Sequence, residues 1–136
     1  MVCRANRPRS LVSWTLGLSL ALGSAACAAA ELNDKARREV SDILERIEKS
    51  GCDFNRSGSW YDGASARKHL QRKYDYLLAR DKLGSAEDFI SLAATRSSMS
   101  GEAYAIRCGS TTPVPSAQWL EAELRRIRAA SPLPPR

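Results

Sequence analysis

A single histidine, His69, is all the imidazole in these 136 residues. A zinc or haem centre asks for several imidazole or thiolate ligands at workable spacing. The four cysteines do not supply them: Cys3 and Cys27 fall in an N-terminal segment considered below, which leaves Cys52 and Cys108. The expectation is therefore no metal and no cofactor. No glycine-rich phosphate loop follows a strand pattern, and no G-x-S-x-G elbow occurs. Ser65-Ala66-Arg67-Lys68 fits S-x-x-K, but the companion motifs S-D-N and K-T-G are missing, and two fixed positions in four match often by chance. It reads as a solvated helix face. Internal repeats, low-complexity stretches and blocks of like charge are absent too.

What is present begins with a leader pattern. Met1 to Arg9 holds Arg4, Arg7 and Arg9 and no acidic residue; an apolar run from Leu11 to Leu22 follows, then the small residues of Gly23 to Ala30. Basic, apolar and small-residue regions in that order make a secretory signal peptide over residues 1–30, cut before Glu31. Two other readings stand beside it. Cys27 is the lipidated cysteine of a lipoprotein, although Ser24 occupies the position where leucine is usual, or Leu11 to Ala30 stays uncleaved as an anchor of about 20 residues. Membrane attachment is expected only in those two cases, and the expected location is an oxidising compartment outside the cytosol. Without the leader the formal charge falls from +6 to 18 − 15 = +3. Those charges are interspersed rather than massed on one face, so no nucleic-acid partner is expected.

Residues 31–130 then read as a single α+β domain, with 131–136 as a disordered tail. Asn33 caps a first helix whose stripe is Ala36, Val40, Ile43, Leu44 and Ile47, with Gly51 as its stop. Cys52 to Arg56 is a short strand ending in the Ser57-Gly58-Ser59 turn. A second helix runs from about Asp62 to about Arg80. Ser85, with Asp88 three residues on, opens a third that ends near Arg96. Ala103 to Cys108 alternates as a half-buried strand, and Ser116 caps a fourth helix. Two cysteines in an oxidising compartment are most simply one disulfide, Cys52–Cys108, the alternative being two buried thiols. Closing a loop of about 57 residues contributes roughly 4 kcal/mol in the chain-entropy picture. With the two cysteines opposite one another in an antiparallel pair, Phe54 faces Ile106 and Arg56 faces Tyr104. The fold class is thus four helices packed on a short two-stranded antiparallel ribbon with one disulfide.

Four stretches carry a resemblance: Gly51 to Ser59; His69-Leu70-x-x-Lys73-Tyr74; Ala86 to Ile90; and Ser97-Ser98-x-Ser100-Gly101-x-x-Tyr104-x-Ile106-x-Cys108. In order and spacing they resemble the YfeK-like family of small exported proteins of Gram-negative bacteria, a domain of unknown function. The likeness covers about residues 35–127. It departs at Ser57, where the pattern has Asn, and at Glu102 and Ala103, where it has Lys-Pro. It implies a periplasmic location and no activity.

One polar cluster is a candidate site. With Ala66 at zero and about 100° per residue, Leu77, Leu70 and Tyr74 fall near 20°, 40° and 80°, Lys73 near −20° and His69 near −60°. The last two therefore border the apolar stripe one turn apart. The Ser97 to Gly101 turn precedes the strand of Tyr104 and offers hydroxyls to the same rim. His69, Lys73, Ser98, Ser100 and Tyr104 are expected to line a pocket for an anionic or sugar-like ligand, or an envelope component. A plainer role stands against it, in which His69 and Lys73 hold the serine turn in place. The leading expectation is a non-enzymatic periplasmic binding or interaction module. The alternative is a small envelope hydrolase or transferase with His69 as base and Ser98 or Ser100 as nucleophile. Trp60, Tyr61 and Trp119 are further aromatic candidates, Trp119 lying off the apolar side of its helix, where it either contacts a partner or packs under a loop.

Overall fold

The computed structural model describes residues 31–131. The expected signal peptide and nearly all of the expected tail lie outside them. Four helices and four strands follow in the order α1 (Asp34–Lys49), β1 (Cys52–Arg56), β2 (Ser59–Tyr61), α2 (Gly63–Leu78), α3 (Ala86–Phe89, running on into a π-helical turn Ile90–Ala94), β3 (Ala105–Cys108), β4 (Val114–Pro115) and α4 (Ser116–Ala130).

Local chemistry sets most of these boundaries. The Asn33 side chain accepts from the Ala36 amide at 2.9 Å, and Asp62 does the same for Ser65 at 2.7 Å. Each satisfies one of the amides that a helix start leaves unpaired. Gly51 takes φ +66° just past α1, the left-handed turn that glycine makes without penalty. Ser85 accepts from Asp88 N at 3.1 Å, while the Asp88 carboxylate accepts from Gly84 N at 2.9 Å. The reciprocal cap therefore reaches one residue further back than the usual motif. At the far end of α3 the backbone widens into the π turn, where Thr95 Oγ1 donates to the Ile90 carbonyl five residues earlier at 2.8 Å.

The two-stranded ribbon expected from the sequence is a four-stranded antiparallel sheet, in the order β2-β1-β3-β4. Ser57 and Gly58 both have positive φ, 51° and 80°, and join β1 to β2 as a two-residue hairpin. Such turns match the natural twist of the strands they join. On the other edge, β4 is two residues long and contains a proline, which removes a donor from that edge. The central register is as derived: Cys52 faces Cys108 and Phe54 faces Ile106, with the disulfide formed. The Arg56–Tyr104 pair does not exist, because β3 begins only at Ala105. Tyr104 instead donates its amide to the Thr95 carbonyl at 2.9 Å and accepts from Ser116 N at 3.0 Å, stitching the π turn to the start of α4. Ser116 is also not a cap. It is the buried first residue of α4, and its hydroxyl donates to the Ala94 carbonyl at 2.5 Å.

The core lies between the helices and one sheet face, with Val40, Ile43, Ile47, Leu83, Phe89, Ile106 and Leu120 almost sealed from solvent. Trp119 packs there edge-on to Phe54 of β1, ring centroids 6.1 Å apart, against the core rather than under a loop. Two carboxylates are buried with the core, and both are paired. Glu39 takes two hydrogen bonds from Arg128, each 2.9 Å, and Glu123 is held by Arg46 and Arg126.

Candidate functional site

A cavity of about 320 Å³ opens where α2 passes over the end of β1. Its floor is apolar, from Phe54, Leu70, Ala94 and Leu120, all buried. Its wall is basic and aromatic: Arg56 from β1, Tyr61 from β2, Lys68, His69 and Arg72 from α2, and Tyr104. The lining contains no carboxylate. A second hollow of about 290 Å³ adjoins it, lined by His69, Arg72, Lys73, Tyr76, Leu77, Leu92 and Ser98.

His69 and Tyr104, 35 residues apart, meet between α2 and the segment before β3. The imidazole Nε2 and the phenol oxygen lie 3.4 Å apart, a long contact that either histidine tautomer satisfies, and the rings stand edge to face. Burial together with the positive charges of Arg56, Lys73 and Arg72 pushes His69 down to about 4. The imidazole is thus neutral at physiological pH, able to donate and accept but not to act as a fixed cation. Burial, and then Arg56, also depress Lys73. Burial raises Tyr104, partly offset by Arg56, whereas the hydrogen bond and charge of Arg56 lower the more open Tyr61. Arg56 acts on all four groups; its guanidinium carbon sits 4.6 Å from the Tyr61 ring centre.

The five expected residues are divided. His69 and Tyr104 line the first cavity; His69, Lys73 and Ser98 line the second; Ser100 lines neither. Lys73 donates to the Arg96 carbonyl at 3.2 Å and lies 5.2 Å from the centre of the Tyr104 ring, so it ties down the residue before the serine turn. That turn is organised by Ser97, whose hydroxyl accepts from Met99 N and Ser100 N, while Ser100 donates to Glu102 at 3.3 Å. Neither Ser98 nor Ser100 is the hydrogen-bond partner of His69; Tyr104 is.

Arg56, Lys68 and Arg72 were not among the expected site residues, and Tyr61 counted only as an aromatic candidate apart from the pocket. A signal was available in the helical wheel: on the same scale Ser65, Arg72 and Lys68 fall near −100°, −120° and −160°, a continuous polar flank beside His69 at about 100° per residue. Ser65 and Lys68, which read as a solvated face, are indeed exposed, yet they also form the cavity rim. Among the described residues no three His, Cys, Asp or Glu side chains gather to hold a metal ion, and no helix is long and apolar enough to cross a membrane.

Among known proteins, the family whose model matches residues 34–128 is described as a family of unknown function, DUF5329. No curated protein and no solved structure matches the chain.

Proposed function

This chain belongs to DUF5329, a family of unknown function, and from that premise we propose a non-enzymatic binding module whose first cavity takes a small organic anion of the sugar-acid kind. The observation that carries the reading is the lining itself: Arg56, Lys68 and Arg72 around an apolar floor, with a neutral imidazole and two phenols for hydroxyl contacts and no acidic side chain. Arginine forks suit carboxylate and phosphate groups. The volume lies at the lower end of small-ligand sites, roughly 300–1,000 Å³. The YfeK-like resemblance, export behind a cleaved leader and a periplasmic envelope ligand belong to the same proposal. The Cys52–Cys108 bond is in keeping with an oxidising compartment.

The hydrolase or transferase alternative has less support. A nucleophile needs its base within about 2.6–3.2 Å, and the imidazole of His69 pairs with a phenol instead. The test is an amide-shift titration of the purified protein with galacturonate and, separately, with neutral galactose. Shifts at Tyr61, His69 and Tyr104 from galacturonate alone, lost in Arg56→Gln, are the expected result. An equal response to galactose would sink the reading.

A further inference from the structure

His69 and Arg72 line both cavities, so the two hollows share a wall and continue one another along α2. The basic character continues as well: Lys73 joins Arg72 in the second hollow, again with no carboxylate in the lining. This is not how the rest of the surface is built. The hollow beside α1 mixes Asp42 and Glu45 with Arg46 and Lys49. The hollow between α3 and α4 mixes Glu87 and Glu121 with Arg125 and Arg128. Among the described hollows the single-sign lining is confined to the pair along α2. Close like charges repel, and at each of the other hollows acids offset the bases. A row of cations lining hollows that carry no carboxylate of their own is complementary to a ligand that brings several negative charges.

The other wall residues narrow the class. Tyr61, with Arg56 4.6 Å from its ring centre, lines the first cavity, and the 56 % exposed Tyr76, with Arg80 3.7 Å from its ring centre, lines the second. Tyr104, His69 and Ser98 offer hydroxyl and imidazole partners between them. Amphipathic rings beside polar groups suit pyranose rings, which have apolar faces and hydroxyl edges. An extended acidic peptide is recognised chiefly through main-chain bonds to an open strand edge. Here the nearest edge strand, β2, contributes only Tyr61 to the walls.

We infer that the two cavities are halves of one groove for an acidic oligosaccharide, with successive anionic sugars at Arg56/Lys68 and at Arg72/Lys73. This rests on the reading of the first cavity as an anion site. Calorimetric titrations at fixed salt with galacturonate, trigalacturonate, neutral maltotriose and triglutamate separate the possibilities. Trigalacturonate should bind at least tenfold more tightly than galacturonate and shift the amides of Tyr76, Leu92 and Ser98, with maltotriose silent. Leu92→Glu places a carboxylate at an exposed position that lines the second hollow and not the first; it should abolish that tenfold gain while leaving galacturonate binding unchanged. Galacturonate binding with no gain for the trimer overturns the groove but leaves the single cavity standing. Failure of both sugars overturns the cavity and the groove together. Triglutamate binding as tightly as trigalacturonate overturns the sugar assignment.

Discussion

Gly63, the first residue of α2, sits where the start of that helix crosses the end of α1. A Cβ built on it would lie 2.3 Å from the Ile47 carbonyl oxygen and 2.9 Å from that of Glu48. The first distance is about an ångström short of van der Waals contact, and the obstacle is backbone rather than a side chain that can swing away. Ile47 is fully buried, and its carbonyl also holds Ser50 Oγ at 2.9 Å. Gly63→Ala would ordinarily gain up to about 1 kcal/mol from helix propensity. Here the overpacking cost, about 1–3 kcal/mol and higher where backbone must move, exceeds that gain. We expect a net loss of about 2 kcal/mol, which for a domain of this size lowers Tm by about 8–16 °C. Thermal and urea unfolding followed by circular dichroism measures it, with Ala64→Gly as the control. Ala64 is the exposed next residue, and its loss should cost no more than about 1 kcal/mol. A Gly63→Ala variant as stable as the parent would refute the argument from close approach.

Three further outcomes follow from particular contacts. Arg128→Ala strips buried Glu39 of both its short hydrogen bonds and should cost about 2–3 kcal/mol, less than a fully buried pair because the Arg128 side chain is 39 % exposed. Adding Glu39→Gln should restore part of that loss in a denaturant melt, and no restoration would mean the stranded carboxylate is not the cause. Replacing Cys52 and Cys108 together by Ala should cost up to about 4 kcal/mol, and reduction of the parent should lower Tm to a similar degree; an unchanged melt would refute the contribution of the bond. His69, held down to about 4, takes its proton later than the unfolded chain does, so its share of stability is whole above about pH 6.5 and is lost as pH falls from there towards 4. That share is at most about 3 kcal/mol before solvent screening of a ring that is only partly buried. His69→Gln should flatten this part of the pH–stability curve, and an imidazole titrating above pH 6 by NMR would contradict the assignment.

Features set by near neighbours were legible in the sequence. The caps at Asn33, Asp62 and Ser85 and the left-handed Gly51 depend on bonds spanning a few residues, and each is present. Alternation was enough to place Phe54 opposite Ile106, 52 residues away, once the cysteines were paired. It failed at Arg56 and Tyr104 because alternation assumes the strand continues, whereas at Tyr104 the chain leaves the ladder to bond Thr95 and Ser116. The strands β2 and β4 were missed because they are three and two residues long, too short for a period to show. In the site, His69 was legible from the edge of the apolar stripe, and Tyr104 from its place just after the Ser97 to Gly101 turn. Arg56, Lys68 and Arg72 were not, because a basic residue beside a cavity has the same sequence pattern as one on an open helix face. Ser100 lines neither cavity, and its hydroxyl donates to Glu102, two residues on.

The bond between Cys52 and Cys108 turns the middle of the chain into a covalent ring. That ring contains β1, β2, α2, α3 and β3, while α1, β4 and α4 are open arms. Every residue lining the second cavity belongs to the ring, and the arms lend the first only Ser116 and Leu120. Tension applied at residues 31 and 131 would therefore peel the two outer helices and stop at the sulfur bridge, because the load passes from Cys52 to Cys108 without entering the ring. The 56-residue span inside contributes no length until the bond is reduced, when about 190 Å of slack is released. Most of the two cavities' walls thus lie in chain that tension at the ends does not load, and only Ser116 and Leu120 stand in its path.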